Sequence, residues 1–172
     1  MYDQLLDAYK ENKRNGGSRK DYLKIASQIE GIYVPCFYDA AYNEDGTLAS
    51  FTTNYENAPK TIQKQMVLDV TDTYYPEAPV VPFIKVTQDR CVLEIQRGCI
   101  RGCRFCQAGM LYRPTRERDV EVLKNYAVQM LKNTGHEEIS LSSLSSSDYS
   151  QLKELVTFLI DEFHGKGINI SL

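Results

Sequence analysis

The sequence predicts an α/β fold over residues 91–172, preceded by a mixed α+β region over residues 1–90. Two observations support this prediction. Short apolar segments alternate with stretches whose apolar residues repeat at helical spacing, and glycines or prolines punctuate many of the joins. Strands that alternate with helices in this way predict parallel β/α units. We therefore expect a helical and hairpin connecting region up to residue 90 and a β/α domain from residue 91.

The connecting region is predicted to contain two helices followed by one hairpin. These elements are expected at residues 1–13, 19–29 and 32–53. Ser18 has the side chain and the position of a cap for the second helix, because its hydroxyl oxygen can accept from a free backbone N–H of the first turn. Residues 43–46, Asn-Glu-Asp-Gly, carry the turn chemistry that joins two antiparallel strands.

The β/α domain is predicted to contain three strands and two helices. The strands are expected at residues 91–95, 138–142 and 168–172. The first helix has an apolar stripe from Val120 to Leu131 and ends at Gly135. Asp148 and Gln151 have the spacing of a capping box and predict the start of the second helix. An apolar strand at the end of the chain would leave backbone groups unpaired, so we expect a truncated chain.

The most informative segment is the run Glu-Ile-Gln-Arg-Gly-Cys-Ile-Arg-Gly-Cys-Arg-Phe-Cys at residues 94–106. It gathers Cys99, Cys103 and Cys106 onto one short loop with C-x₃-C-x₂-C spacing. An electron-transfer cubane normally takes four cysteine ligands, whereas three leave one iron with open coordination sites. The loop, at residues 98–107, is therefore predicted to hold a metal cluster that can also bind a small molecule.

Two other kinds of site stay open on the residues alone. An iron-sulfur electron-transfer module would need a fourth protein thiolate, and a zinc-binding interaction module would need a fourth ligand at close spacing. Only four other cysteine or histidine residues could supply it, namely Cys36, Cys91, His136 and His164. None of them lies at finger-like spacing from the loop. We interpret Cys36 and Cys91 as packed or incidental residues, because one lies among aromatic side chains and the other opens an apolar strand.

The loop and its flanks are rich in arginine. Between residues 97 and 118 the sequence has Arg97, Arg101, Arg104, Arg113, Arg116 and Arg118. Glu117 is the only acid there. One interpretation is charge balance for an anionic cluster, and the other is a solvated basic face with Arg116 or Arg118 paired to Glu117. Both arginines are placed at the start of the first helix, where the helix dipole disfavours cations, so an anionic partner is expected.

The composition excludes several classes of protein. The 172 residues carry 23 acidic and 20 basic side chains, a net charge of −3, so the basic excess of a typical nucleic-acid-binding domain is absent. No apolar run reaches the roughly 18 residues that a membrane span needs, and the N-terminal residues lack the order of a signal peptide. Five cysteines, an odd number, suit a reducing compartment better than a disulfide framework. We expect a cytoplasmic location.

The cysteine run resembles the cluster motif of the radical S-adenosylmethionine (radical SAM) superfamily, and Phe105 stands at that motif's aromatic position. Further segments resemble the subfamily with an N-terminal cobalamin-binding-type domain. They include residues 31–35 (Gly-Ile-Tyr-Val-Pro), 107–109 (Gln-Ala-Gly) and 113–118 (Arg-Pro-Thr-Arg-Glu-Arg). The resemblance implies that residues 91–172 are the N-terminal half of a partial (β/α)₆ TIM-like barrel. The rest of the barrel and an upstream cobalamin-type domain would belong to the full-length protein.

The same resemblance implies the chemistry. Cys99, Cys103 and Cys106 would ligate a 4Fe-4S cluster, and S-adenosylmethionine would chelate the fourth iron. One electron from a reducing donor would cleave this cofactor to methionine and a 5′-deoxyadenosyl radical, which abstracts a hydrogen atom from a substrate that the sequence does not identify. The truncated chain by itself is expected to be inactive, because an incomplete barrel does not seclude a radical.

The resemblance also assigns cofactor contacts. Phe105 would shape the adenine side of the cofactor site. Ser143 and Ser145 follow the second strand, where many members carry Gly-Gly-Glu for the cofactor's amino group. Serine hydroxyls can accept a hydrogen bond from an ammonium group but bring no charge, so this sequence departs from the pattern. A serine-rich turn that caps the following helix is the alternative interpretation.

Overall fold

Two units make up the chain in the computed structural model, which describes residues 1–172: Met1–Met66 and Val67–Leu172. The boundary therefore precedes the predicted one at residue 90. Residues 71–75 belong with the sheet because they contact a buried arginine behind it. Arg118 Nη1 donates to the carbonyl oxygens of Thr71 at 3.3 Å and Thr73 at 3.4 Å. Irregular backbone can thus be an integral part of a domain when its carbonyls satisfy a buried cation.

The first unit contains the predicted helices and hairpin. Its elements are α1 Tyr2–Arg14, α2 Arg19–Ala26, β1 Tyr38–Tyr42 and β2 Leu48–Thr53. Ser18 caps α2 as expected, and Asp21 completes a capping box by accepting from the Ser18 N–H. The helix α2 ends three residues earlier than predicted, at Ala26. The two strands pair antiparallel, and a small core of Val34, Phe37 and Ala58 forms beside them.

The second unit is built on a parallel sheet. Its elements in chain order are β3 Cys91–Glu94, β4 Gln96–Arg97, α3 Ala108–Leu111, β5 Arg116–Glu117, α4 Val120–Thr134, β6 Glu138–Ser142, α5 Leu152–Phe163 and β7 Asn169–Ser171. The three strands β3, β6 and β7 are neighbours in that order, and both pairings are parallel. The predicted β/α alternation is confirmed. The short antiparallel pair of β4 with β5 was not predicted.

Apolar faces of α4 and α5 cover the sheet and form the main core. The fully buried members include Leu93 and Ile139 from the strands and Leu123, Leu155 and Leu159 from the helices. Gly135 ends α4 with a positive φ of 71°, which places it in the left-handed region that glycine adopts without strain. None of the helices combines the length and the apolar character that crossing a bilayer requires.

The predicted capping box at the start of α5 is wrong. The helix begins at Leu152 after Gln151, and no side chain caps it. Asp148 instead lies in the 3₁₀ turn Ser146–Asp148. Its carboxylate accepts hydrogen bonds from the guanidinium of Arg101. The guanidinium carries the opposite charge and presents two parallel donors to the carboxylate, whereas a helix start offers it neutral N–H groups.

Arg118 is buried, which excludes it from the solvated basic face that was one of the two interpretations of the arginines. Its side chain is 1% exposed and lies 3.6 Å from the Glu94 carboxylate. The guanidinium lies over the rings of Tyr75 and Tyr126, 5.1 and 5.7 Å from their centroids. The expected anionic partner is therefore Glu94. Glu117 does not pair with either neighbouring arginine; it accepts from the backbone N–H of Ser150 at 3.0 Å.

We predict that Tyr149→Phe lowers the free energy of unfolding by about 1–2 kcal/mol, because the buried Tyr149 hydroxyl donates to the Arg118 carbonyl oxygen at 2.8 Å. Removing the donor leaves that oxygen unsatisfied in the core. Chemical denaturation followed by circular dichroism measures the loss. Tyr126→Phe is the matched control, since the Tyr126 hydroxyl makes no hydrogen bond within the chain. Equal stabilities for the two variants would contradict the assigned hydrogen bond.

Candidate functional site

The cysteine loop leaves the carboxyl end of the first parallel strand. The pair of β4 with β5 closes the base of this loop, with Arg97 opposite Arg116. At the first loop residue, Gly98, φ is 86°, and a Cβ atom there would lie 2.7 Å from the carbonyl oxygens of Pro114 and Tyr112. Only glycine fits this close approach of two backbone segments. Backbone contacts thus keep the two ends of the loop close together at its base.

The three predicted cluster ligands lie on this loop but differ in environment. Cys99 is 8% exposed, Cys103 is exposed and Cys106 is half-buried. The Cys106 N–H donates to the Cys103 carbonyl oxygen at 3.0 Å, which makes a turn between these two residues. Nowhere in residues 1–172 are three cysteine, histidine, aspartate or glutamate side chains grouped closely enough to hold a metal ion. The structure therefore collects the cysteines on one loop without converging their sulfurs.

The chemistry of the loop fits an iron-sulfur cluster. Thiolates are soft ligands that suit such clusters, and hydrogen bonds to the sulfurs tune them. Backbone N–H groups already point at two of the sulfurs: Arg101 N–H donates to Cys99 Sγ and Gly109 N–H donates to Cys106 Sγ, each at 3.4 Å. These N–H groups are placed to donate to the sulfurs of a bound cluster.

A buried polar atom without a partner lies next to the loop. The side chain of Gln96 in β4 is almost fully buried, and its Nε2 donates to the Ser145 carbonyl oxygen at 2.7 Å. Its Oε1 has no hydrogen-bond donor. Buried acceptors are normally satisfied. Gln96 therefore offers an acceptor to a bound group at the carboxyl edge of the sheet, a feature that no local sequence pattern indicates.

The other cysteines and a histidine are accounted for by local contacts. Cys91 is buried at the start of β3, and its Sγ lies 3.3 Å from the Thr134 hydroxyl oxygen. Burial raises the pKa of the Cys91 thiol, which makes it a poor ligand. Cys36 is exposed in the first unit, so it is not packed among its aromatic neighbours. His136 Nδ1 lies 3.3 Å from the Asp89 carboxylate.

Phe105 lies on the outer part of the loop. Its side chain is 92% exposed and makes no ring contact within the chain. Burial in the core does not explain this aromatic residue. A role in contacting a bound molecule stays a prediction for Phe105.

Ser143 and Ser145 form a serine-rich turn after β6. The Ser143 hydroxyl oxygen accepts from the Ser145 N–H at 3.0 Å and lies 3.1 Å from the Ser146 hydroxyl oxygen. The Ser145 hydroxyl donates to Asp148 at 2.7 Å. The turn is therefore internally bonded, and it does not cap the following helix as the alternative interpretation expected. Both hydroxyl oxygens keep lone pairs that can accept from a ligand.

The strongest polar contact of the site joins the cysteine loop to the residues after β6. Arg101 Nε donates to Asp148 Oδ2 at 2.7 Å, and Arg101 Nη2 donates to Oδ1 at 2.5 Å. Arg101 and then Ser145 hold the pKa of the Asp148 carboxyl below its usual value, while Asp148 raises the pKa of Arg101. Sequence reasoning missed this pair because the two residues are 47 positions apart, and no local pattern connects them.

Most of the arginines around the loop are bound within the protein. Arg97 donates two hydrogen bonds to the Glu94 carboxylate, both at 2.9 Å. Arg116 donates to the Val67 carbonyl oxygen at 2.9 Å, and Arg113 donates to the Arg101 carbonyl oxygen at 3.3 Å. Arg104, between two cysteines, makes no hydrogen bond or ion pair. The predicted basic face is therefore reduced to Arg104 and the exposed parts of its neighbours.

Comparison with known proteins identifies the region. The family model described as Radical SAM superfamily matches residues 93–172, which include the cysteine loop. The resemblance to that superfamily is confirmed over these residues; the cobalamin-type subfamily stays a prediction. Uncharacterized protein MJ0966 of Methanocaldococcus jannaschii is 28% identical over 148 residues, covering 86% of this chain. The chain spans 31% of the length of that relative. No solved structure gives a significant match.

We predict that Gly98→Ala destabilises the second unit by about 1–3 kcal/mol, because the new Cβ would strain a left-handed residue and press on two backbone carbonyls. Gly102→Ala is the control within the same loop. A Cβ there meets only Arg113 Nη2, at 3.9 Å, so its cost should stay within about 0.5 kcal/mol. Urea titration compares the two variants. Similar midpoints would show that the base of the loop is not constrained as described.

Proposed function

We propose that residues 93–172, which match the radical SAM superfamily, bind a 4Fe-4S cluster and S-adenosylmethionine as part of a radical enzyme. The observation that carries the proposal is the triplet Cys99, Cys103 and Cys106 on one loop at the carboxyl end of a parallel strand. In parallel β/α folds ligands bind at that edge of the sheet. Three thiolates leave one iron available to the cofactor.

When bound, these groups would supply cleavage of S-adenosylmethionine by one electron from an external reductant, to methionine and a 5′-deoxyadenosyl radical that abstracts a hydrogen atom from a substrate. The residues of this chain bind and position them. The three cysteines hold the iron, while the N–H groups of Arg101 and Gly109 stabilise charge on two sulfurs. Gln96 Oε1 offers a buried acceptor to a polar group of the cofactor.

The structure gives little support to the two alternative functions. An electron-transfer cluster needs a fourth thiolate, and in the second unit the remaining cysteine is Cys91. It is buried at the opposite end of β3 from the loop. A structural zinc site needs four ligands, and the loop supplies three thiolates with no fourth cysteine and no histidine at close spacing.

We predict that replacing Cys99, Cys103 or Cys106 with Ala abolishes assembly of a 4Fe-4S cluster, because each supplies one of only three thiolates. Anaerobic reconstitution followed by iron analysis and electron paramagnetic resonance measures the loss. Cys36→Ala and Cys91→Ala are the controls and should assemble the cluster as the unmodified chain does. Full iron retention in Cys103→Ala would refute the assignment of the ligands.

We predict that Phe105→Ala weakens S-adenosylmethionine binding roughly fivefold to thirtyfold, the equivalent of about 1–2 kcal/mol of ring burial against the cofactor. Cluster content and protein stability should not change, because the ring is exposed in the free chain. Titration of the reduced cluster's paramagnetic signal with the cofactor gives the affinity. Phe83→Ala removes another fully exposed phenylalanine, outside the loop, and is the matched control. An unaltered affinity in Phe105→Ala would remove this residue from the cofactor site.

A further inference from the structure

We infer that Asp148 is a positioning residue that latches the cysteine loop to the sheet through Arg101. The latch is defined as the ion pair of these two side chains. Its existence rests on the geometry of the chain, and its role in holding a cluster rests on the proposed function.

The latch has the geometry of a strong contact. Two parallel hydrogen bonds join the guanidinium fork to the carboxylate, from Nε at 2.7 Å and from Nη2 at 2.5 Å. Such bidentate pairs fix orientation as well as distance. The contact spans 47 positions in sequence, so it ties together two segments that share no hydrogen bond of a strand ladder. The stretch between the first two cysteines has one other tertiary hydrogen bond, from Arg113 Nη2 to the Arg101 carbonyl oxygen at 3.3 Å, and the latch is the shorter and bidentate contact.

The aspartate is the fixed member of the pair. Its side chain is 9% exposed, whereas that of Arg101 is 62% exposed. The Ser145 hydroxyl donates to the same carboxylate at 2.7 Å, and Gln96 Nε2 donates to the Ser145 carbonyl oxygen at 2.7 Å. The Ser145 hydroxyl thus fixes the carboxylate, and Gln96 of β4 fixes the backbone of Ser145. A braced acceptor can hold an exposed arginine, which would otherwise retain most of its side-chain freedom.

The loop needs such a restraint because it has little structure of its own. Between Gly98 and Gln107 it forms no strand or helix, and its internal hydrogen bonds are one backbone bond, from Cys106 to Cys103, and the bond from the Arg101 N–H to Cys99 Sγ. Arg101 lies two residues from Cys99 and two from Cys103. Fixing the Arg101 side chain therefore restricts the backbone positions of both Cys99 and Cys103. Less conformational entropy is then lost when these two ligands converge on a metal. Cys99, two residues before Arg101, is almost fully buried.

Electrostatics alone would give a different role to the same pair. A free arginine near a thiol favours the thiolate and speeds its reactions. On that account Asp148→Asn would make Cys99 more reactive, and Arg101→Gln would make it less reactive. A latch predicts the same direction for both changes, since each one releases the loop and exposes Cys99. The two explanations therefore differ in whether the two substitutions change the reactivity of Cys99 in opposite directions or in the same direction.

The test measures alkylation of each cysteine in the metal-free chain by iodoacetamide, with mass spectrometry to identify the labelled residues. We expect Cys99 to react about tenfold faster in both Asp148→Asn and Arg101→Gln, the loss expected for one partly exposed charge-assisted pair. Cys36, in the first unit, serves as an internal reference and should change less than twofold. An unchanged rate at Cys99 in Asp148→Asn, or opposite directions in the two variants, would overturn the latch.

Glu138→Gln is the matched control. It breaks another ion pair of the same unit, Arg90 with Glu138 at 2.7 Å, at the opposite end of β6. We expect it to leave Cys99 labelling unchanged; a tenfold rise there as well would mean that general loosening of the unit, not the latch, protects Cys99. After anaerobic reconstitution, a chelator should remove iron about tenfold faster from the two latch variants. Failure of the unmodified chain to hold iron would refute the proposed function, while the labelling would still decide the latch.

Discussion

The parallel pairing of β3 with β6 is the constraint on which the rest of the site depends. Its register sets Glu94 opposite Ser142, so the chain leaves both strands at the same edge of the sheet. One exit leads into the cysteine loop and the other into the serine-rich turn. Chain segments far apart in sequence are thereby brought within hydrogen-bond distance, as the bonds from Gln96 and Arg101 to this turn show. The site follows from strand direction rather than from any local motif.

Charge is distributed around this edge in pairs. Glu94, at the end of β3, binds Arg97 on one side and lies close to the buried Arg118 on the other, and Asp148 binds Arg101 beyond them. A buried cation is tolerated only when it is paired and hydrogen-bonded, and Arg118 meets this condition through carbonyl oxygens of the segment before the sheet. That segment therefore belongs to the second unit, although it has no strand or helix.

The helices and strands that follow from local periodicity were predicted from the sequence. The contacts that join distant segments were not. The apolar stripe of α4 and the glycine at its end gave the helix bounds closely, because burial on one face imposes a spacing of three to four residues. Asp148 was assigned to a helix cap because capping is a local pattern, whereas its actual partner lies on another segment. The burial of Arg118 could not be predicted either, since Tyr75 and the carbonyl oxygens of Thr71 and Thr73 that contact its guanidinium lie far from it in sequence.

Two fixed points divide the cysteine loop into unequal parts. Gly98 is fixed by backbone carbonyls that admit no side chain, and Arg101 is fixed by Asp148. Cys99 lies between these points and is buried, while Cys103 lies beyond them and is exposed. Ordering a segment on binding costs conformational entropy. The part of the loop that contains Cys103 and Cys106 therefore carries most of that cost, and the first ligand is the one that the fold positions in advance.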